Sequence, residues 1–212
     1  MAINGQRGYE RKVRNSSKRK RKPIILMAAE GKNKTEKYYF SDFAKEYNKN
    51  VEFISSDYTD PINMVKALIE KYDAKGMSEE NGDTAYCLID SDFNSQKDNQ
   101  IANADNLAKA KNKNVDILVS NPCFEIWFIC HYTASTRQYI SSKEVLSKLR
   151  EYHQDYEKNS REMFKKTKGN LSIALENAMK LRRSCEDNGY KIHTIKFTPS
   201  TEIDKLVRRL ME

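Results

Sequence analysis

Three observations predict an α/β protein built on a mostly parallel, four-stranded sheet flanked by helices, with a helical C-terminal extension. Four short apolar runs recur at residues 24–29, 51–55, 84–90 and 115–119. Between consecutive runs lie stretches of helical period, each long enough for a right-handed crossover. From about residue 133 onward the pattern is helical almost throughout. The chain therefore divides into a basic, flexible arm (1–22), an α/β core (23–132) and a helical region packed on that core (133–212).

The first run, Ile24-Ile-Leu-Met-Ala-Ala29, is continuously apolar, as expected of a strand buried on both faces. It ends at Glu30-Gly31, where glycine lets the backbone turn. A helix with Tyr39, Phe40, Phe43 and Tyr47 on its inner side should follow. The loop between them lacks the second glycine and the Gly-Lys-Ser/Thr ending of a phosphate-binding P-loop. Residues 51–55 form the second strand. Asp60 then caps a helix with Pro61 in its first position and Ile62, Val65, Leu68, Ile69 and Tyr72 as its core stripe. Asn81-Gly82-Asp83 leads into the third strand, residues 84–90. Residues 93–100 read as a polar loop before a helix carrying Ile101, Ala104, Leu107 and Ala108. After the fourth strand, Pro122 and Glu125 fit the opening of a short apolar helix through Trp127, Phe128 and Ile129.

Further on, Val145, Leu146, Leu149 and Tyr152 mark one helix, and Leu171, Leu175, Ala178 and Leu181 another. The Lys-rich stretch 155–168 reads as a solvated helix or loop. Residues 191–197 alternate like an edge strand, or form a loop. A last helix opens at Pro199-Ser200-Thr201-Glu202 and turns Ile203, Leu206, Val207 and Leu210 inward, with Ser200 or Thr201 as its cap.

The chain has 212 residues, 38% hydrophobic and 32% charged, which suits a compact core beneath very polar helices. Its formal charge of +8 is unevenly placed. Residues 1–22 hold nine of the 38 Lys/Arg and one of the 30 Asp/Glu, so 29 of each remain beyond them. The body is neutral, and the arm either grips a polyanion by counterion release or merely solubilises. No apolar run is long enough for a membrane span, and the first residues lack the apolar segment of a signal peptide. Cys87, Cys123, Cys130 and Cys185 sit in or beside apolar runs without a CxxC pair, which suits buried thiols in a reducing cytoplasm.

The chemistry concentrates at the ends of the strands. Asp90-Ser91-Asp92 places two carboxylates at i and i+2, which on an extended chain point the same way. Glu30 follows the first strand and Glu125 the fourth, and strand-end loops of a parallel sheet gather on one side. Two competing explanations are structural: a solvated turn for the Asp pair, and helix N-terminal stabilisation for Glu125. Clustered carboxylates repel unless a cation lies among them, and oxygen-only donors suit Mg²⁺ or Mn²⁺. Glu30, Asp90 and Asp92 are the expected metal ligands. Lys32 and Lys34 either hold a scissile phosphate or are solvated loop lysines. His131 is either a packed histidine or a site residue.

Glu30-Gly31 with Thr35-Glu36 and Tyr39-Phe40, Asp90-Ser91-Asp92, Ser120-Asn-Pro-Cys-Phe-Glu-Ile-Trp127 with His131, and Pro199-Ser200-Thr201 together resemble the RloB family, from about residue 23 to the C-terminus. That family is similar to Toprim domains, so the resemblance implies a Toprim-like core and a Mg²⁺- or Mn²⁺-dependent nuclease acting on RNA, including tRNA, or DNA. It implies Glu30 as acid/base or ligand, Asp90 and Asp92 as ligands, and Glu125 as a further catalytic residue. Lys32, Lys34 and His131 would contact substrate. It also implies a place in a bacterial phage-defence pair with an AAA/ABC-like ATPase. A homo-oligomer is compatible with this reading. The alternative is a non-catalytic subunit that binds the ATPase, nucleic acid or both. A dehalogenase-type phosphatase fits less well, because Asn94 stands where that pattern wants Thr or Val.

Overall fold

The computed structural model describes residues 21–30, 34–54, 58–111 and 113–212. Most of the basic arm, and Lys32 with it, lies outside them. The strands are β1 (Ile24–Ala29), β2 (Asn50–Phe53), β3 (Thr84–Asp90), β4 (Val115–Asn121) and β5 (Ser200–Thr201). They form one sheet in the order β2-β1-β3-β4-β5. The first four are mutually parallel, and β5 joins β4 antiparallel through Ser120↔Thr201 and Asn121↔Ser200. The sheet therefore has one strand more than the sequence predicts. A run of two residues carries too little periodicity to be recognised.

Alternating side chains divide the core between the two faces of the sheet. Ile24, Leu26 and Ala28 of β1, with Ala85, Cys87 and Ile89 of β3, meet helices α2 (Pro61–Ala74) and α3 (Ser95–Ala110) through Val65, Leu68, Ile101 and Ala104. Ile25, Met27, Tyr86 and Leu88 face the opposite way. There they meet α1 (Thr35–Glu46), α4 (Glu125–Cys130), α5 (Ser142–Arg150), α6 (Met163–Thr167), α7 (Leu171–Asp187) and α8 (Ile203–Met211). The result is an α/β sheet covered on both sides, consistent with a Toprim-like fold. All four cysteines are buried and unpaired. No helix among the described residues is long and apolar enough to cross a membrane.

Local chemistry explains the boundaries. Asp60 caps α2 by accepting from the Asn63 N–H at 2.9 Å, with Pro61 in the first turn as expected. Helix α3 begins at Ser95, inside the segment expected to be a loop, because Asn94 caps it by accepting from the Gln96 N–H at 3.0 Å. Its first turn carries no apolar stripe, so periodicity missed it. Residues 191–197 form turns rather than a strand. His193 there reaches Asp105 of α3 and Glu202, each at 2.7 Å, tying the loop down by side chains. Helix α8 starts after Glu202, and Thr201 Oγ1 accepts from the Ile203 N–H at 3.3 Å.

Arg21 and Lys22, at the end of the arm, are attached to the body. The Arg21 guanidinium donates to both oxygens of Asp83 at 2.7 and 2.5 Å, and Lys22 donates to Asn48 Oδ1 at 2.5 Å. Asp83 is fully buried and also accepts from the N–H groups of Ile24 and Ser78, at 2.8 and 2.9 Å. Burial alone would push its carboxyl up, but these donors together hold it at about 2 instead of 3.8. A depressed carboxyl stabilises the fold above its unfolded value and loses that contribution as pH falls through the folded one. We expect Asp83→Ala to lower unfolding free energy at neutral pH by about 2 kcal/mol, because two buried N–H groups lose their acceptor. Denaturant titrations from pH 7 down to 2 should show the difference from the wild type shrinking below pH 3.8.

Candidate functional site

The parallel register brings the acidic residues to one rim. Ala29 of β1 lies opposite Leu88 of β3, and Asp90 of β3 opposite Ser120 of β4. Glu30, the Asp90 turn and the Asn121–Glu125 segment consequently leave adjacent strands at their C-terminal ends, where α/β sheets bind ligands.

The Asp pair converges by a different geometry from the one the sequence suggests. Strand β3 stops at Asp90, and Asp92 and Phe93 both adopt left-handed backbone conformations, with φ of 51° and 55°. Each such non-glycine residue costs on the order of 1 kcal/mol and persists only where its surroundings enforce it. Here the Ser91 N–H donates to Ser120 O and the Asp92 N–H to Pro122 O, both at 3.0 Å. Ser91 Oγ also donates to Asn121 Oδ1 at 2.7 Å. Extended-chain alternation therefore does not place Asp92; a turn bonded to the end of β4 does.

A cation at this rim is Lys97, the third residue of α3. Its ammonium meets both Glu30 oxygens at 2.7 Å, the Asp90 carbonyl at 2.6 Å and Asp92 Oδ2 at 2.9 Å. The Lys97 side chain is only 7% exposed. Burial pulls that ammonium down, but hydrogen bonds and charge from Glu30 and Asp92 raise it above the ordinary lysine value. Burial raises the Glu30 carboxyl, and Lys97 offsets part of that rise. The sequence reading missed Lys97 because it took residues 93–100 as a loop. The available signal was a lysine in the first turn of a helix, where the macrodipole disfavours a cation.

Beyond Lys97 the cluster is poorly compensated. Burial drives the Asp90 carboxyl well above its usual range, and the charges of Glu36, Glu125, Asp92 and Glu30 add to the rise. Glu36, the second residue of α1, is buried, and its Oε2 has no hydrogen-bond partner among the described residues. Burial first, then Glu125 and Glu30, push it up to about 8. Glu125, the first residue of α4, is buried and accepts from the Tyr156 hydroxyl at 3.0 Å.

Tyr156 comes from the stretch between α5 and α6, which the sequence presents as solvated. It is instead a strap across the site. Asn159 Oδ1 accepts from the Lys34 N–H at 2.7 Å, and the Asn159 N–H donates to Thr35 Oγ1 at 3.0 Å. The Arg161 guanidinium lies 4.7 Å from the centre of the Tyr38 ring. Lys158, exposed between these anchors, has its ammonium raised by Glu125, Cys123, Asp90 and Asp92 despite the opposing effect of partial burial.

The structure thus gathers Glu30, Asp90, Asp92 and Glu125, and adds Glu36, Lys97, Tyr156 and Lys158. Lys34 lies at the entry to α1 with an exposed side chain. His131 is a correction: it is fully buried, its Nδ1 is 2.9 Å from Trp127 O, and burial lowers it to about 4. A side chain without exposed surface has no access to substrate, so His131 is a packed core residue.

These residues meet the requirements of a divalent ion in part. The donors are carboxylates only, mutually repelling and with one orphaned buried oxygen, which is the chemistry a hard cation satisfies. Among the described residues, however, no group of three His, Cys, Asp or Glu side chains is arranged to hold a metal, and an ammonium already bridges Glu30 to Asp92. The donor set fits in kind, and binding an ion here requires carboxylates to turn towards it.

A parallel sheet with helices on both faces and acids converging at its C-terminal rim defines the class of architecture. The family follows from sequence comparison: a model of RloB-like proteins matches residues 25–210, and the chain belongs to that family. No curated protein and no solved structure is matched.

Glu36 supplies a pH test of the site. A carboxyl raised from 4.5 to about 8 makes the native state hold its proton longer than the unfolded chain, so stability falls as pH rises across that interval. We expect Glu36→Gln, in chelator-treated protein, to flatten this decline. Chemical denaturation at pH 5 and pH 8 should show the variant gaining on the wild type only at the higher pH.

Proposed function

We propose that this protein is a metal-dependent nuclease that hydrolyses phosphodiester bonds in RNA or DNA. The convergence of Glu30, Asp90, Asp92, Glu36 and Glu125 around one rim of the sheet carries this reading. A fold gains no stability from buried, incompletely paired carboxylates, so their concentration is attributable to function. Mg²⁺ or Mn²⁺ held by Asp90 with Glu30, Asp92 or their acidic neighbours would polarise the phosphoryl group and lower the pKa of bound water. Glu30, held by Lys97, would accept a proton. Tyr156 orients Glu125, and Lys158 offers an exposed positive charge for the phosphate backbone. The basic arm would add affinity through counterion release. Membership of the RloB-like family supports, as a further proposal, action in the bacterial cytoplasm as a phage-defence effector beside an AAA/ABC-like ATPase.

A second reading, a non-catalytic subunit that docks on the ATPase, is favoured by one observation: Lys97 already pairs with both Glu30 and Asp92. One assay separates the two. Purified full-length protein, alone and with its ATPase, is incubated with RNA, tRNA and DNA in Mn²⁺ or Mg²⁺, with a chelator control. Cleavage should depend on the metal, and Asp90→Ala or Glu30→Ala should reduce it by about 100-fold or more. Undiminished cleavage by the Asp90→Ala/Glu30→Ala double variant would refute this site. Absence of cleavage together with intact ATPase binding favours the subunit reading.

A further inference from the structure

We propose that Lys97 is a permanent internal cation of the acidic site, so that the site takes one divalent ion, against Asp90, once neighbouring carboxylates turn towards it. This rests on the metal-dependent reading above and specifies how many ions it requires.

The argument begins with the cost of the placement. Lys97 lies in the first turn of α3, where the helix dipole opposes a positive charge, and its side chain is almost wholly removed from water. Neither condition retains a lysine by itself. What retains it is coordination: four oxygens lie within 2.6–2.9 Å of Nζ, and they come from Glu30, Asp90 and Asp92. With three N–H donors shared among four acceptors, the ammonium has no proton left for substrate. Lys97 is therefore a positioning residue. It holds the acid after β1 to the turn after β3.

The same contacts restrict metal occupancy. Sites with two ions place them about 3.5–4 Å apart, bridged by shared carboxylates. Here a fixed unit charge already occupies the space between Glu30 and Asp92, and a divalent ion among the same oxygens would be repelled by it. The other half of the cluster is different. Among the described residues no cation forms an ion pair with the Asp90, Glu36 or Glu125 carboxylates. Glu36, 5% exposed, keeps an oxygen without a partner among those residues. One half of the cluster carries a directly paired cation, and the other half, among the described residues, has only the more distant charge of Lys158.

The test counts ions. Mn²⁺ binding to full-length protein is measured by calorimetry and by the electron paramagnetic resonance of free Mn²⁺, for wild type, Lys97→Arg and Lys97→Met. The expected result is one Mn²⁺ per chain for wild type and Lys97→Arg, and two for Lys97→Met, whose thermal midpoint should also rise more on adding Mn²⁺. Lys97→Gln replaces Lys97→Met if circular dichroism shows the latter unfolded. Two ions in the wild type, or one in the folded uncharged variant, would overturn the proposal while leaving metal dependence intact. No Mn²⁺ bound at millimolar concentration would overturn both.

Discussion

The ammonium of Lys97 among the oxygens of Glu30, Asp90 and Asp92 is the constraint on which the arrangement of this rim depends. Without it, carboxylates leaving β1 and β3 would face one another in a partly desolvated space, where unpaired charge costs most. With it, the two strand ends are held in one geometry. The neighbouring acids, Glu36 and Glu125, can then be packed beneath them at the starts of α1 and α4. The strained Asp92-Phe93 turn belongs to the same device. Its backbone bonds to Ser120 and Pro122 fix where Asp92 meets the lysine.

The fold serves this rim economically. Parallel pairing of β1, β3 and β4 brings three loops together without any long insertion, and buried apolar faces on both sides make the sheet rigid. The strap between α5 and α6 lies over the site from the same layer as α1 and α4. It is held by Asn159 on the entry to α1, by Arg161 on Tyr38 and by Tyr156 on Glu125. A substrate approaching the carboxylates would meet Lys158 on that strap before reaching them. Glu36 and Glu125 are thus buried, Glu30 and Asp90 half-buried and Asp92 exposed, while the strap carries an exposed positive charge.

Much of this was legible in the sequence, for physical reasons that also explain the gaps. Strands buried on both faces are continuous apolar runs, so β1, β3 and β4 were visible, and Asp60-Pro61 announced α2. The polar first turn of α3 gives no periodic signal, which hid both the true start of the helix and Lys97. Tyr156 was hidden within a Lys-rich stretch, because burial of one tyrosine in a polar loop depends on contacts far along the chain. Glu36 stood in a visible motif, but its lack of a partner is a property of packing alone. His131 shows the opposite error. The family resemblance suggested a site role, and of the two roles open to it the short helix α4 leaves His131 the packed one, in the core.

The account comes down to whether an ion shares this rim with the lysine. A crystal structure of the full-length protein soaked in Mn²⁺, with anomalous scattering used to locate the metal, tests that most directly. The account predicts a single anomalous peak against the Asp90 carboxylate, with Lys97 still bridging Glu30 and Asp92. A peak between Glu30 and Asp92 with the lysine displaced, or no peak at the rim, would contradict it.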